Sequence, residues 1–155
     1  MTDALLLDIH EIQQLKYRYF RVLDTKQWDD FRECFVPEAT ASYSDGALTF
    51  EGRDAIVDYM RNNMGPGLYS MHNGHHPEIQ VDGDTATGIW YLQDKVLVPE
   101  FDFALEGCGL YFDEYLRMAE GWRIKHIGYR RTFETQYSLK DLASLKLKRG
   151  TAYDG

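Results

Sequence analysis

Val81-Asp82-Gly83-Asp84 opens the stretch that decides the fold, and the stretch continues as Thr85-Ala86-Thr87-Gly88-Ile89-Trp90-Tyr91-Leu92-Gln93-Asp94. The turn residues 82–84 separate two extended runs, 68–81 and 85–98, which is the pattern of a β-hairpin. One face of the second run is almost entirely apolar, as on a strand that is buried on one side. We therefore expect a long antiparallel hairpin near the middle of the chain.

Asp94 is the one acid on the apolar face of this strand, whose other members are Ala86, Gly88, Trp90, Leu92, Val96 and Val98. Burying an ionised carboxylate without a partner is costly, so Asp94 must be paired, protonated or turned to a wet cavity. Each of these arrangements favours a functional site. The alternative is a β-bulge that turns Asp94 to solvent near the end of the strand.

Two more strands are predicted after the hairpin, over 107–118 and 122–132, with a turn at 119–121 between them. Strands that are neighbours in sequence tend to be neighbours in a sheet, so we expect one antiparallel sheet after residue 67. The face of the third strand that carries Tyr111 and Tyr115 is interpreted either as half-buried surface or as contacts to a ligand.

Three helices are predicted before this sheet. In the first, 3–24, apolar residues recur at every third or fourth position. The second covers 27–35 and ends before Pro37, and a short strand, 39–43, follows. The third helix covers 54–64.

Asp24 breaks a local rule at the end of the first helix. The helix macrodipole is negative at the C-terminus and disfavours an acid there. One explanation is that Asp24 or Thr25 caps the second helix. The other is that Asp24 belongs to a site.

The order of these elements, helices first and a strongly curved sheet last, predicts an α+β domain. We expect a cone-like, antiparallel or mixed sheet wrapped by three N-terminal helices, which can enclose a ligand. The chain of 155 residues is expected to form one domain, 1–155. Its C-terminal segment, 138–155, is expected to be an arm, with helical spacing over 138–147.

Composition narrows the classes of function. The net charge of −8 repels polyanions, and no basic run interleaved with aromatic residues occurs, so no nucleic-acid partner is expected. The two cysteines, Cys34 and Cys108, lie far apart and indicate neither a disulfide framework nor a zinc ribbon. The apolar run 4–7 is too short for a signal peptide or a membrane span, so we expect a cytoplasmic protein without a membrane partner.

The segment Tyr69-Ser70-Met71-His72-Asn73-Gly74-His75-His76-Pro77 carries three of the five histidines. Histidine is suited to proton transfer near neutral pH, because its unperturbed pKa is about 6.5. A metal site is not predicted, since strand geometry sends positions 75 and 76 to opposite faces. His75 and His76 are interpreted as surface or packing residues, whereas His72 suits a cavity, and Gly74 indicates a kink.

Several motifs follow one another along the chain: Tyr17-x-Tyr19-Phe20-x-x-Leu23-Asp24-x-x-x-Trp28, Glu51-Gly52-Arg53, Met71-His72, Val81-Asp82-Gly83-Asp84-x-Ala86-x-Gly88-x-Trp90-Tyr91-Leu92 and Gly121-Trp122-Arg123-Ile124. In this order and spacing, the sequence resembles the SnoaL-like branch of the nuclear transport factor 2-like superfamily. The similarity is greatest to the scytalone dehydratase and bile acid 7α-dehydratase group. The resemblance covers nearly the whole chain and implies a curved sheet wrapped around a long helix, with a conical pocket.

The resemblance also implies a set of site residues. The bile acid dehydratase pattern of a tyrosine and an aspartate five positions apart on the first helix is matched by Tyr19 and Asp24. Its histidine is matched by His72 and its strand aspartate by Asp94. Scytalone dehydratase is similar but has a tyrosine at the position of Leu23 and a second histidine near Val96. These departures point away from scytalone as the substrate.

We therefore expect a cofactor-independent dehydratase, a lyase, that acts on a hydroxylated, mostly apolar carbonyl compound such as a steroid, terpenoid or polyketide. His72 would transfer the proton, with Asp94 or Asp24 orienting it, and Tyr19 would donate a hydrogen bond to the developing enolate. Either Arg130 or Arg131 would reach an anionic group of a substrate or form an ordinary salt bridge. The expected substrate contacts are Tyr43, Trp90, Tyr111, Tyr115 and Arg130.

Two alternatives remain open at the level of sequence. An isomerase of the ketosteroid isomerase type would use the same residues without expelling a hydroxyl group. A non-catalytic binding module, or the small subunit of an oxygenase, would use the same fold. No cofactor and no metal are expected, and the resemblance implies a homo-oligomer, either a dimer or a trimer.

Overall fold

The structure is a computed structural model that describes residues 1–152. Its helices are α1 (Asp3–Asp24), α2 (Trp28–Arg32) and α3 (Arg53–Asn63). Its strands are β1 (Phe35–Tyr43), β2 (Leu48–Glu51), β3 (Tyr69–Asp82), β4 (Thr85–Val98), β5 (Phe103–Met118) and β6 (Gly121–Tyr137). Short 3-10 turns lie at Ser44–Gly46, Pro99–Phe101 and Leu139–Asp141.

The strands form one six-stranded sheet in the order β2-β1-β6-β5-β4-β3. All neighbouring strands are antiparallel except β1 and β6, which are parallel. Helix α1 packs against the face of this curved sheet that becomes the core. The predicted α+β class, with helices covering a curved mixed sheet, is therefore confirmed. No helix within residues 1–152 is long and apolar enough to span a membrane.

The structure corrects the prediction at the second helix, which ends at Arg32 rather than at residue 35. Phe35 already belongs to β1 and pairs with Ile124, because pairing with β6 outweighs the local helical spacing. Pro37 lies inside β1, where the register shifts between Phe35 and Thr40. An irregular position of this kind tolerates a residue without a backbone N–H group.

The other differences concern the lengths of elements. Strand β2 was not predicted, and β5 and β6 are longer than expected, since Ala104 pairs with Tyr137 beyond the predicted ends. The helix that the spacing favours over 138–147 does not form, and only the single turn Leu139–Asp141 is helical there; residues 153–155 of the expected arm lie outside the described part of the chain. Asp102 holds this turn by accepting hydrogen bonds from Ser138 Oγ and from the backbone nitrogen of Lys140.

The buried faces of the strands position the site. On β4 the predicted alternation is confirmed: the inner positions 86, 88, 90, 92 and 94 are buried, and Asp94 is only 5% exposed. On β5 the interpretation of Tyr111 and Tyr115 as half-buried surface is wrong, because both side chains are buried on the side of the strand that faces the core, where Tyr111 meets Phe20 of α1. The irregularity in β3 lies at His76, between the paired residues His75 and Glu78, rather than at Gly74.

An ion pair lies in the core between α1 and β5. Lys16 Nζ donates to Asp113 Oδ2 at 2.6 Å, and both side chains are completely buried. The Tyr115 hydroxyl donates to the same oxygen at 2.7 Å and accepts from Trp90 Nε1 at 3.0 Å. Burial lowers the pKa of Lys16 and raises that of Asp113, and the pairing opposes both shifts. The network therefore ties α1 to β4 and β5.

Replacing Lys16 with methionine should destabilise the protein by about 3–5 kcal/mol, because the buried carboxylate of Asp113 loses its counter-charge. The double variant Lys16→Met/Asp113→Leu should recover most of this loss, since no unpaired charge remains. Urea denaturation of both variants measures the effect. A loss below about 1 kcal/mol for the single variant would contradict the structural role of the pair.

Candidate active site

His72 and Asp24 form a hydrogen-bonded pair where the end of α1 meets the start of β3. His72 Nδ1 lies 2.6 Å from Asp24 Oδ1, and the backbone nitrogen of His72 donates to Asp24 Oδ2 at 2.8 Å. The Ser70 hydroxyl donates to Asp24 Oδ1 at 2.8 Å. With the proton of Nδ1 directed at the carboxylate, Nε2 is the nitrogen that can accept a proton.

The contact with His72 explains why an acid lies at the end of α1. Neither Asp24 nor Thr25 caps α2, whose N-cap is Gln27 and lacks a side-chain hydrogen bond; Thr25 Oγ1 instead donates to the Arg21 carbonyl. The capping explanation is therefore wrong, and the acid serves the contact with β3. Phe20 stacks on the imidazole of His72, with ring centroids 6.4 Å apart and planes 9° apart.

Asp94 and Arg131 form a second buried pair beside the first. His72 and Asp94 are cross-strand partners, but the carboxylate of Asp94 binds Arg131, with distances of 2.5 Å to Nη1 and 2.8 Å to Nη2. Arg131 Nε also lies 3.5 Å from Glu134 Oε2. Burial opposes the charge of Arg131, but the hydrogen bonds and charge of Asp94 prevail, so the pKa of Arg131 is raised. Asp24, and not Asp94, is therefore the acid that orients His72.

Both pairs border one cavity of about 250 Å³ between the helices and the inner face of the sheet. Its lining is largely aromatic and aliphatic, and His72, Asp94 and Arg131 are its ionisable members apart from tyrosines. The lining residues are Tyr19, Leu23, Tyr43, Ser44, Leu48, Tyr59, Met60, Asn63, Met64, Leu68, His72, Asp94, Val96, Phe103, Leu105, Tyr111, Tyr129 and Arg131.

Two tyrosine hydroxyl groups in this lining lack partners. The hydroxyls of Tyr19 and Tyr43 are buried and have no hydrogen-bond partner among the described residues. They lie close enough to affect each other's pKa without meeting hydrogen-bond geometry, and burial is the main cause that raises both pKa values. Both groups therefore stay protonated, and neither donates to a described residue by hydrogen-bond geometry, so each keeps hydrogen-bonding capacity at the wall of the cavity.

Some of the site residues expected from the sequence line the cavity or support it, and others lie elsewhere. Tyr19, His72 and Asp94 line the cavity together with the expected contacts Tyr43 and Tyr111, and Asp24 lies behind His72. Three expected contacts lie outside this lining. Trp90 and Tyr115 point into the core network under the cavity. Arg130 is exposed on the outer face of the sheet, 5.7 Å from the Phe112 ring. Alternation along β6 turns Arg131, rather than Arg130, inward.

Sequence reasoning missed Lys16 and Asp113. A usable signal existed for Lys16, which shares the apolar face of α1 with Ile12 and Tyr19 at helical spacing. Asp94, a lone charge on the apolar face of β4, gives the same kind of signal. At Asp113 the signal is weaker, because the same face of β5 also carries the charged Arg117 and is expected to be either half-buried surface or a ligand contact.

Larger clefts open on the outer face of the sheet, but in the two that contain histidines no imidazole hydrogen-bonds to a carboxylate of residues 1–152. One of about 530 Å³ contains His126, whose Nδ1 lies 2.6 Å from Thr40 Oγ1. Another of about 680 Å³ contains His75, which approaches Gln93, and His76, which lies against Tyr91. Within residues 1–152, no group of three or more His, Cys, Asp or Glu side chains could hold a metal ion.

Lys26 lies near the His72 and Asp24 pair without lining the cavity. Its Nζ is 3.5 Å from Ser70 Oγ, which in turn binds Asp24. Burial lowers the pKa of Lys26 to about 8, and the charge of Asp24 opposes this shift.

Lys26 should make folding stability rise with pH above about 8. The folded protein loses the Lys26 proton near pH 8, whereas the unfolded chain holds it to about pH 10.4, so the unfolded state binds more protons in this interval. The stability of the wild type relative to Lys26→Gln should therefore increase between these pH values. Denaturation at stepped pH measures it, with Lys146→Gln at an exposed position as the control. A constant difference would contradict the burial of the Lys26 charge.

Gly107 gives Arg131 and Asp94 the space for their ion pair. An added Cβ at position 107 would overlap Nη1 of Arg131 and lie 3.2 Å from Asp94 Oδ1. Gly107→Ala should destabilise the protein by about 1–3 kcal/mol, because the guanidinium group must move. Gly67→Ala, where a Cβ meets no atom within 4 Å, is the matched control.

A double-variant cycle separates this effect from general crowding. In an Asp94→Asn background the pair is already weakened, so Gly107→Ala should cost less there than in the wild type. Equal costs in both backgrounds would show that position 107 acts independently of the pair.

Comparison with known proteins gives a family match and several relatives. A family model described as a SnoaL-like domain matches residues 4–128. A Mycobacterium tuberculosis (strain H37Rv) protein described only as uncharacterized is 29% identical over 127 residues, covering 80% of this chain and 85% of that protein.

Solved structures share the fold. A protein from Novosphingobium aromaticivorans described as a candidate scytalone dehydratase has a TM-score of 0.81 at 22% identity, covering 90% of this chain and 93% of that one. A hexachlorocyclohexane dehydrochlorinase from Novosphingobium barchaimii has a TM-score of 0.78 at 19% identity, covering 94% and 97%. A nuclear transport factor 2-like protein with a cystatin-like fold, also from N. aromaticivorans, has a TM-score of 0.70 at 23% identity, covering 93% and 92%. At these identities the likeness establishes the fold alone.

Proposed function

Since the chain belongs to the SnoaL-like domain family, we propose that it is a cofactor-independent dehydratase, a lyase that removes water from a hydroxylated carbonyl compound. The observation that carries the proposal is the contact of His72 with Asp24 at the wall of a cavity that also holds the unpartnered hydroxyls of Tyr19 and Tyr43. A base, its orienting acid and hydrogen-bond donors for an oxyanion are the parts that such an elimination needs.

His72 is the proposed base. Its Nε2 takes the proton from the carbon next to the substrate carbonyl, while Asp24 holds the ring through Nδ1 and stabilises the imidazolium that forms. As the enolate collapses to the enone, the bond to the hydroxyl group breaks, and the imidazolium returns its proton to that group. Water leaves, and His72 is neutral again, so the step needs no co-reactant.

The tyrosine hydroxyls are the proposed oxyanion donors. In the substrate the carbonyl oxygen is weakly charged, but it becomes negative as the proton leaves. A hydrogen bond from Tyr19, with Tyr43 beside it, gains strength as this charge develops and so lowers the barrier. Both side chains are held by packing, so little reorganisation is needed when the charge appears.

The Asp94 and Arg131 pair is assigned a supporting role. Asp94 lies opposite His72 in the register of β3 and β4, so its negative charge favours the imidazolium. Arg131 supplies the counter-charge and two hydrogen bonds that this buried carboxylate needs. Neither group needs to exchange a proton with the substrate.

Incubation of candidate hydroxy-ketones in heavy water, followed by mass spectrometry, tests the proposal. The wild type should form the enone with loss of water, and His72→Ala should slow this by about 10²–10⁴-fold, because the general base is gone. His75→Ala is the matched control, since His75 is on the same strand but binds Gln93 on the outer face.

Two results would contradict the dehydratase proposal and favour another function. Deuterium uptake without loss of water would indicate an isomerase that uses the same base. Ligand binding with neither change, or activity that survives in His72→Ala, would indicate a binding module or a different reaction centre.

A further inference from the structure

The size and charge of the cavity limit what it can hold. Resting on the proposed function, we infer that the substrate is a small uncharged ketone of one or two fused rings, and that a four-ring steroid or an anionic conjugate does not bind. The inference narrows the wider class of steroids, terpenoids and polyketides to its smallest members.

Volume is the first argument. The cavity measures about 250 Å³, which is below the range of roughly 300–1,000 Å³ that accommodates drug-sized ligands. The wall that faces the core cannot retreat, because Tyr19, Tyr43 and Tyr111 are at most 3% exposed. Behind Tyr111, the buried ammonium of Lys16 lies 3.7 Å from the ring centroid. A larger ligand would have to displace close-packed core side chains.

The shape of the lining favours a ring. Tyr129 lies between Tyr43 and Tyr111, with centroid distances of 5.8 Å and 5.6 Å, and the three rings are inclined to one another. Aromatic faces of this kind give an apolar ring a large contact area at a small cost in side-chain entropy. A flexible chain of the same volume would lose more conformational freedom on binding.

The charges of the lining leave none for an ionic ligand. Arg131 is already paired with Asp94 through both terminal nitrogens and lies near Glu134, and His72 is paired with Asp24. Of the nearby lysines within residues 1–152, Lys16 is buried against Asp113, and Lys26 lies outside the lining. A carboxylate or phosphate would therefore lose its hydration and find in the lining only a cation that is already paired, together with the acid Asp94.

The unpartnered hydroxyls specify one polar group on the ligand. Tyr19 and Tyr43 are both buried and unpaired among the described residues, which is a costly state for a donor. A single acceptor oxygen within reach of both hydroxyls would satisfy both. A ketone supplies such an oxygen and also acidifies the neighbouring C–H bond.

Equilibrium binding of saturated ketones tests the inference, because these compounds lack the hydroxyl group to be eliminated. Calorimetry on the wild type should give increasing affinity from cyclohexanone to 2-decalone and at least tenfold weaker binding of androstan-17-one. 4-Oxocyclohexanecarboxylate should bind at least tenfold more weakly than 4-methylcyclohexanone, which has similar size without the charge.

A matched pair of variants links the selectivity to this cavity. Met64 lines the cavity, whereas Met118 is partly buried outside the lining. Met64→Ala should strengthen the binding of a three-ring perhydrophenanthrenone relative to 2-decalone, because it removes part of the wall. Met118→Ala should leave this ratio unchanged.

The inference is overturned if androstan-17-one binds as tightly as 2-decalone, if the carboxylate binds as tightly as its neutral analogue, or if no ketone of the series binds. Its failure can be distinguished from that of the proposed function. If binding follows the expected order of size but no hydroxy-ketone is turned over, the dehydratase proposal is rejected and the selectivity of the cavity for small ketones is retained. If a steroid undergoes elimination that depends on His72, the dehydratase proposal is retained and the size limit is rejected.

Discussion

The carboxylate of Asp24 is the contact on which the arrangement of the site depends. It accepts from the His72 backbone nitrogen, from the His72 ring and from the Ser70 hydroxyl, so one side chain at the end of α1 fixes both the backbone and the imidazole at the start of β3. Charge-assisted hydrogen bonds of this kind are stronger than neutral ones. The same contact that seats the helix on the sheet therefore also selects the tautomer of the histidine. An acid is unfavourable at a helix C-terminus, but these three donors offset that cost.

Two further carboxylates on the inner face of the sheet show a common solution to the burial of charge. Asp94 on β4 is paired with Arg131, and Asp113 on β5 is paired with Lys16. A buried pair adds little stability over an apolar core of the same shape, but the loss of either member is expensive. The two pairs differ in position. The Asp94 and Arg131 pair borders the cavity, whereas Lys16 of the other pair lies behind Tyr111, whose ring lines the cavity. Removing a charge at either position therefore affects the cavity.

The sequence predicts the local features of this molecule better than its long-range contacts. The hairpin at 82–84, the alternation of β4 and the burial of Asp94 follow from the period of the side chains, which is a local property. The grouping of Tyr19, Asp24, His72 and Asp94 was expected from a family resemblance, and the structure brings these residues together, while their catalytic roles remain proposals. The partners of the charges could not be predicted, because Lys16 and Asp113 or Asp94 and Arg131 meet only when the sheet forms. The end of α2 also depends on β6, a strand about 90 residues further along the chain.

The pairing of charges around the cavity bears on how a reaction would be accelerated there. Around the cavity Asp24, Asp94 and Arg131 all have partners, so these charges offer the proposed neutral ketone no strong ionic attraction. In the proposed elimination, charge appears only as the proton moves: positive on His72, which lies beside Asp24 and Asp94, and negative on an oxygen next to Tyr19 and Tyr43. Interactions that strengthen only at that stage lower the barrier without tightening the binding of the substrate. The paired charges and the unpaired hydroxyls are thus two halves of one arrangement, which is suited to a reaction that starts and ends uncharged.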